Sequence, residues 1–150
     1  MDAFELTGTI GMLIYREMRF QCEEFGEKVR TFELSSNYLR SCINDKKLWS
    51  VFENLREKTS KLLEHKLMCA VLGVIKPERK SELLMKNKVF FRMEKEIRNF
   101  LKKIKETISD EEMQYYYEYE KDYNELVIFI ENDARNFLNV FINSVYKNYQ

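Results

Sequence analysis

The chain has 150 residues, 45% of them apolar and 33% charged, with one Pro and four Gly. That length suits a single domain with a real core, and so few turn-formers exclude a sheet protein, which needs them every few residues. Twenty-five basic residues balance 25 acidic ones, so no net charge draws the whole chain to nucleic acid or to an anionic membrane.

These numbers imply an all-α fold, and the apolar spacing predicts a bundle of about five helices in one domain, 1–150. The stripe Ile10, Ile14, Met18, Cys22, Phe25, Val29 predicts a first helix over about 8–31. Gly8, Gly11 and Gly26 lie in or beside it. An interior glycine costs roughly 0.5–1 kcal/mol relative to Ala, a cost that close packing can offset. Ser35-Ser36-Asn37 offers an N-cap for a short second helix carrying Tyr38, Leu39, Cys42 and Ile43, with Asn44-Asp45 as a stop and restart. Leu48, Val51, Phe52, Leu55, Leu62, Leu63, Leu67 and Val71 predict a third helix over about 46–73. Trp49, near its start, reads as a half-buried residue rather than a partner anchor.

Pro77 pushes its predecessor out of the helical region and itself suits a first helical position, so a fourth helix is expected over about 77–108. Lys86-Asn87-Lys88 is the point at which it could break. Ser109 with Glu112 three residues later is a capping box. It opens a long final helix over about 110–148, roughly 58 Å at the α-helical rise. Its inward stripe is Met113, Tyr116, Tyr123, Val127, Ile130, Ala134, Phe137 and Phe141. The run Leu126–Ile130 is apolar on every side, so this helix is expected to be enclosed by its neighbours. The last two helices form a long C-terminal hairpin whose arms differ in charge. Residues 76–106 hold 11 basic and 5 acidic side chains, and 107–133 hold 1 and 9. Arg98, Lys102, Lys103 and Lys105 are therefore expected beside Asp110, Glu111, Glu112 and Glu118, each set also suiting its helix dipole.

The N-terminus has neither a basic start nor an apolar run, so a signal peptide is not expected. With Asp at position 2, N-myristoylation is not expected. The longest apolar run, Leu67 to Leu72, is six residues, far short of a membrane span of about 20. Cys22, Cys42 and Cys69 are odd in number and sit in apolar patterns, which suits reduced, buried thiols. The expected location is intracellular and cytoplasmic, with the nucleus left open.

Little in the chain carries chemistry. His65 is the single histidine, too few for a zinc site or a di-iron bundle. Glu23, Glu24 and Glu27 cluster without histidine partners, and no Gly-rich phosphate loop, nucleophile elbow or paired-cysteine motif is present. No enzyme activity, cofactor or metal is expected. The expected function is protein–protein interaction, by self-association or by binding another helical chain. Five tyrosines fall within nine residues, at 115, 116, 117, 119 and 123, and cannot all face one way. Tyr115, Tyr117 and Tyr119 at one end of the last helix, and Val140, Val145 and Tyr146 at the other, are the expected partner contacts. The abundance of Lys, Asn, Ile, Tyr and Phe suits an AT-rich genome, in keeping with a virus- or parasite-type binding protein of the helical-groove kind. The alternative is a nucleic-acid-associated accessory subunit using Lys86, Lys88, Arg92, Lys95 and Arg98, with Phe90 and Phe91 among them.

Overall fold

A computed structural model describes the backbone over residues 3–75 and 88–149, and side chains over 11–71, 73–74, 91–133, 135–140 and 142–143. The described residues form six α-helices: α1 (Ala3–Gln21), α2 (Glu23–Ser41), α3 (Lys46–Ile75), α4 (Lys88–Thr107), α5 (Met113–Asn132) and α6 (Ala134–Tyr149). No described residue lies in a strand. The chain is all-α, as its periodicity predicts. No helix among the described residues is long and apolar enough to cross a membrane.

The predicted first helix is two. Cys22 takes an extended conformation (φ −113°, ψ 108°) and separates α1 from α2. Arg19 ends the one and Glu23 and Glu24 begin the other, each charge complementing its helix dipole. Gly26 makes the corner possible, because a Cβ there would lie 2.6 Å from the Arg19 carbonyl oxygen. The arms are then tied by Arg19 to Glu33 at 2.9 Å. The short second helix predicted at Ser35–Asn37 does not start there. Both serines are buried in the middle of α2. The Ser35 hydroxyl donates to the Asp122 carboxylate of α5, and the Ser36 hydroxyl accepts from Arg56 Nε of α3 at 3.2 Å. Tertiary partners have taken the hydroxyls that an N-cap would have used.

The restart at Asn44-Asp45 is where α3 begins, with Asp45 Oδ1 accepting from the Lys47 amide at 2.9 Å. Contrary to the expected arrangement, α3 rather than the last helix is the enclosed one. It packs against α1, α4, α5 and α6. From Leu67 to Val71 every side chain is buried, so this segment meets neighbours on all sides. The last helix is divided at Asp133 (φ −106°, ψ 22°) into α5 and α6. The hydrogen bonds from Asp133 N to Phe129 O and from Phe137 N to Asp133 O, at 3.0 and 3.1 Å, carry the chain through the bend. Along α5 the buried stripe is Tyr116, Tyr119, Leu126, Phe129 and Ile130, whereas Ile128 is 55% exposed. Leu126–Ile130 is therefore apolar all round but not enclosed all round.

The start of the predicted fourth helix at Pro77, and the Lys86-Asn87 break, lie outside the described residues. The capping-box bonds form, the Glu112 amide donating to Ser109 Oγ at 3.3 Å and the Ser109 amide and hydroxyl donating to Glu112 Oε1 at 3.4 and 3.0 Å. They close a turn ahead of the helix: α5 begins at Met113, three residues after the expected start, and Glu112 at its N-cap makes no side-chain cap bond. The Ser109 hydroxyl first, and then the Ser109 amide, pull the exposed Glu112 carboxyl below its usual pKa. The charge pairing expected between the last two arms is not the one found. Ion pairs of α4 run to α3 instead, Lys58–Glu96 at 2.5 Å and Lys66–Glu94 at 3.0 Å. α4 docks chiefly on α3.

Close approach of α1 to α3 depends on Gly11. A Cβ there would collide with the Glu64 carbonyl oxygen and press on Met68. In an open helix Gly→Ala stabilises by about 0.5–1 kcal/mol. Here the backbone itself is the obstacle, so Gly11→Ala should destabilise by about 1–3 kcal/mol, as overpacking does. The sign of the change in a denaturant melt decides between a packing glycine and an incidental one.

Candidate functional site

Because α4 rests on α3, a groove of about 470 Å³ stays open between α4 and α5. Its floor is apolar, made by Leu62 of α3, Ile97 and Leu101 of α4, and Tyr116, Tyr123 and Val127 of α5. From Tyr116 to Val127 it runs about 17 Å, roughly three helical turns. The walls run antiparallel, since Lys105 Nζ lies 5.4 Å from the Tyr116 ring centre and 5.3 Å from that of Tyr117, while Glu94 acts on Tyr123 one end further along. Burial first, and then Tyr119 and Glu94, push the Tyr123 hydroxyl well above its usual pKa. Arg98 and Glu120 stand on opposite walls. By helical geometry Phe91, Tyr117 and Ile128, which are 50%, 53% and 55% exposed, continue these walls outward as a rim. Helical geometry puts Tyr117 and Ile128 within about 20° of each other on α5, and Phe91 on the same face of α4 as Arg98.

The expected tyrosine trio is divided by the fold. Tyr117 is on the rim. Tyr115 is half-buried and stacks on Tyr38 at 6.0 Å. Tyr119 is a core residue, 4% exposed and 5.2 Å from the Phe32 ring. Burial raises its pKa to about 12, against a lowering hydrogen bond to Thr59. Tyr119 thus offers no surface to a partner, because α2 and α3 cover it. Val140 is half-buried against the core. The side chains of Val145 and Tyr146 lie outside the described residues. Of the basic set, Arg92, Lys95 and Arg98 are exposed on α4, with Arg98 in the groove. Lys86, and the side chain of Lys88, lie outside the described residues.

Ile128 is not among the predicted contacts, and Phe91 enters only the nucleic-acid alternative, not the protein-contact set. Each is an apolar residue lying off its helix's inward stripe, and that misfit is the signal in the sequence that marks them.

No known protein family, curated protein or solved structure matches this chain. His65 is buried, and its Nδ1 donates to the Lys61 carbonyl at 2.6 Å, the bond of a core histidine. Burial raises the thiol pKa of Cys42 and of Cys69, which opposes a thiolate nucleophile. None of the three cysteines is in a disulfide. Among the described residues no group of three His, Cys, Asp or Glu side chains is placed to hold a metal ion. Trp49 donates its indole N–H to the Ile43 carbonyl at 2.5 Å under the Arg40 guanidinium, which ties it to the α2–α3 turn.

Proposed function

We propose that this protein is a non-enzymatic helical-bundle protein that acts by binding protein, either a copy of itself or a different chain. The observation that carries the reading is the groove between α4 and α5, apolar in its floor and rimmed by Phe91, Tyr117 and Ile128. An apolar groove between two helices, edged by exposed aromatic and aliphatic side chains, is what a partner's helical face requires. The test replaces Phe91, Tyr117 and Ile128 together by Ser. All three are half-exposed, so helicity and melting should stay near wild type. Association should weaken by about tenfold or more, the loss of one or two interface anchors. Chemical cross-linking in extract, followed by reconstitution with purified components, reads the outcome. Identical complexes from wild type and variant would sink the proposal. Tyr119→Ser is left out because it would remove a core ring and confuse binding with folding.

A second reading is favoured by one observation. Arg92, Lys95, Lys102 and Lys103 are all exposed along α4, on the side turned away from α3 by helical geometry. Such a stripe suits phosphates and would make this a nucleic-acid-associated subunit. Titrating binding to a generic duplex or single strand against salt separates the readings. A steep fall in affinity with salt supports the second, and no binding supports the first.

A further inference from the structure

The walls of the α4–α5 groove are complementary to each other in charge and in apolar content. Going outward from the floor, α4 presents Ile97 and Leu101, then Arg98, then Phe91. α5 presents Tyr116 and Val127, then Glu120, then Tyr117 and Ile128. The antiparallel register set by Lys105 over Tyr116 and Tyr117, and by Glu94 beside Tyr123, brings Arg98 level with Glu120. It also brings Phe91 within about one turn of Ile128. At the height of Arg98 and Glu120 one wall is thus cationic and the other anionic, the acidic Glu94 of the α4 wall being paired with Lys66 of α3, and both walls end in an exposed apolar residue at the same end.

A two-fold axis lying along such a groove exchanges its left and right walls and keeps every residue at its height. The cationic wall of one copy then faces the anionic wall of the other, twice, and Phe91 of each faces Ile128 of the other. We propose that the groove is closed by a second copy of this chain through that two-fold, giving a four-helix layer of α4, α5 and their symmetry mates. The proposal rests on the protein-binding reading above and names its partner. Self-complementarity is the argument for the occupant. An unrelated helix would need an acidic edge toward α4 and a basic edge toward α5, and this chain's own rim supplies both in the required order. Each ion pair is repeated by the symmetry, so one substitution acts at two places in the dimer.

The test uses that doubling on the full chain. Wild-type protein should show a concentration-dependent dimer in sedimentation or light scattering, weakened by added salt. Arg98→Glu puts like charges face to face twice and should weaken the dimer by about tenfold or more. Glu120→Arg should do the same by the opposite charge. Both residues are exposed, and circular dichroism of each variant should match wild type. An equimolar mixture of the two variants restores both attractions and should recover the wild-type dimer. A wild-type monomer at every concentration overturns the proposal. So does unchanged dimerisation of the single variants, or a mixture that stays monomeric. The protein-binding reading has a separate readout. If wild type is monomeric but its cross-linked partners vanish with the Phe91, Tyr117 and Ile128 triple variant, only the second copy is wrong. If those partners persist as well, both fail.

Discussion

Ile130→Asp should leave the chain unfolded at room temperature. Ile130 is fully excluded from solvent, with Leu126 and Phe129 buried beside it on α5. A carboxylate there finds no partner of opposite charge among the apolar side chains that enclose it. It either stays charged at a cost of several kcal/mol or binds a proton and remains an unpaired polar group. Native domains hold only about 5–15 kcal/mol of net stability, so this single change consumes most of it. Circular dichroism and calorimetry give the answer. Ile128→Asp is the control, because Ile128 lies two residues earlier and is 55% exposed. The control should keep its helicity and lose no more than about 0.5 kcal/mol of monomer stability, as is usual at a surface. Equal melting of the two variants would show that burial along α5 is not as described.

Phe25→Ala should cost about 3–5 kcal/mol, the usual range for a large ring removed from a closed core. Phe25 is fully buried near the start of α2 and joins four helices through its ring. Tyr15 of α1 meets it edge-on at 5.2 Å, Phe129 of α5 stacks at 5.9 Å, and Phe137 of α6 meets it edge-on at 5.3 Å. The cavity cannot close easily, since each neighbouring ring belongs to a different helix held by other contacts. Urea denaturation should show a lower midpoint with an unchanged slope. A loss below about 1 kcal/mol would mean that the α1–α2 corner and the α5–α6 bend are not pinned together through this ring.

The candidate site was only partly legible. Arg98 could be singled out because it belongs to a dense basic run, and Tyr117 because it belongs to a dense run of tyrosines. Tyr119 carries the same local signal as Tyr117, yet two residues of helix turn it by about 200°, into Phe32 and Thr59. No pattern within α5 says which side α2 will occupy. The groove itself was invisible, since it exists because α4 leans on α3 and not on its neighbour in sequence. The charge asymmetry of the arms suggested a closed hairpin, but the ion pairs α4 makes use its glutamates, Glu96 and Glu94, and tie it to Lys58 and Lys66 of α3 rather than to α5. Sequence order makes α4 and α5 neighbours, and packing decides how far apart they stand.

What the sequence by itself determined was local. Scarce Gly and Pro together with repeating apolar spacing made the chain helical, because backbone hydrogen bonds close within a few residues and need no distant partner. The same locality placed the restart at Asp45 and the capping box at Ser109. Only the tertiary structure decided the breaks at Cys22 and Asp133 and the continuation of α2 through Ser35 and Ser36. Neither Cys22 nor Asp133 is a Gly or Pro, Gly26 admits the first corner from inside α2 without marking where it falls, and neither serine stops the helix. A bend in a helix is decided by whether distant side chains gain more burial than the disturbed backbone loses. Around Phe25, Phe129 and Phe137 they do, and that balance is a property of the assembled core rather than of any window of sequence.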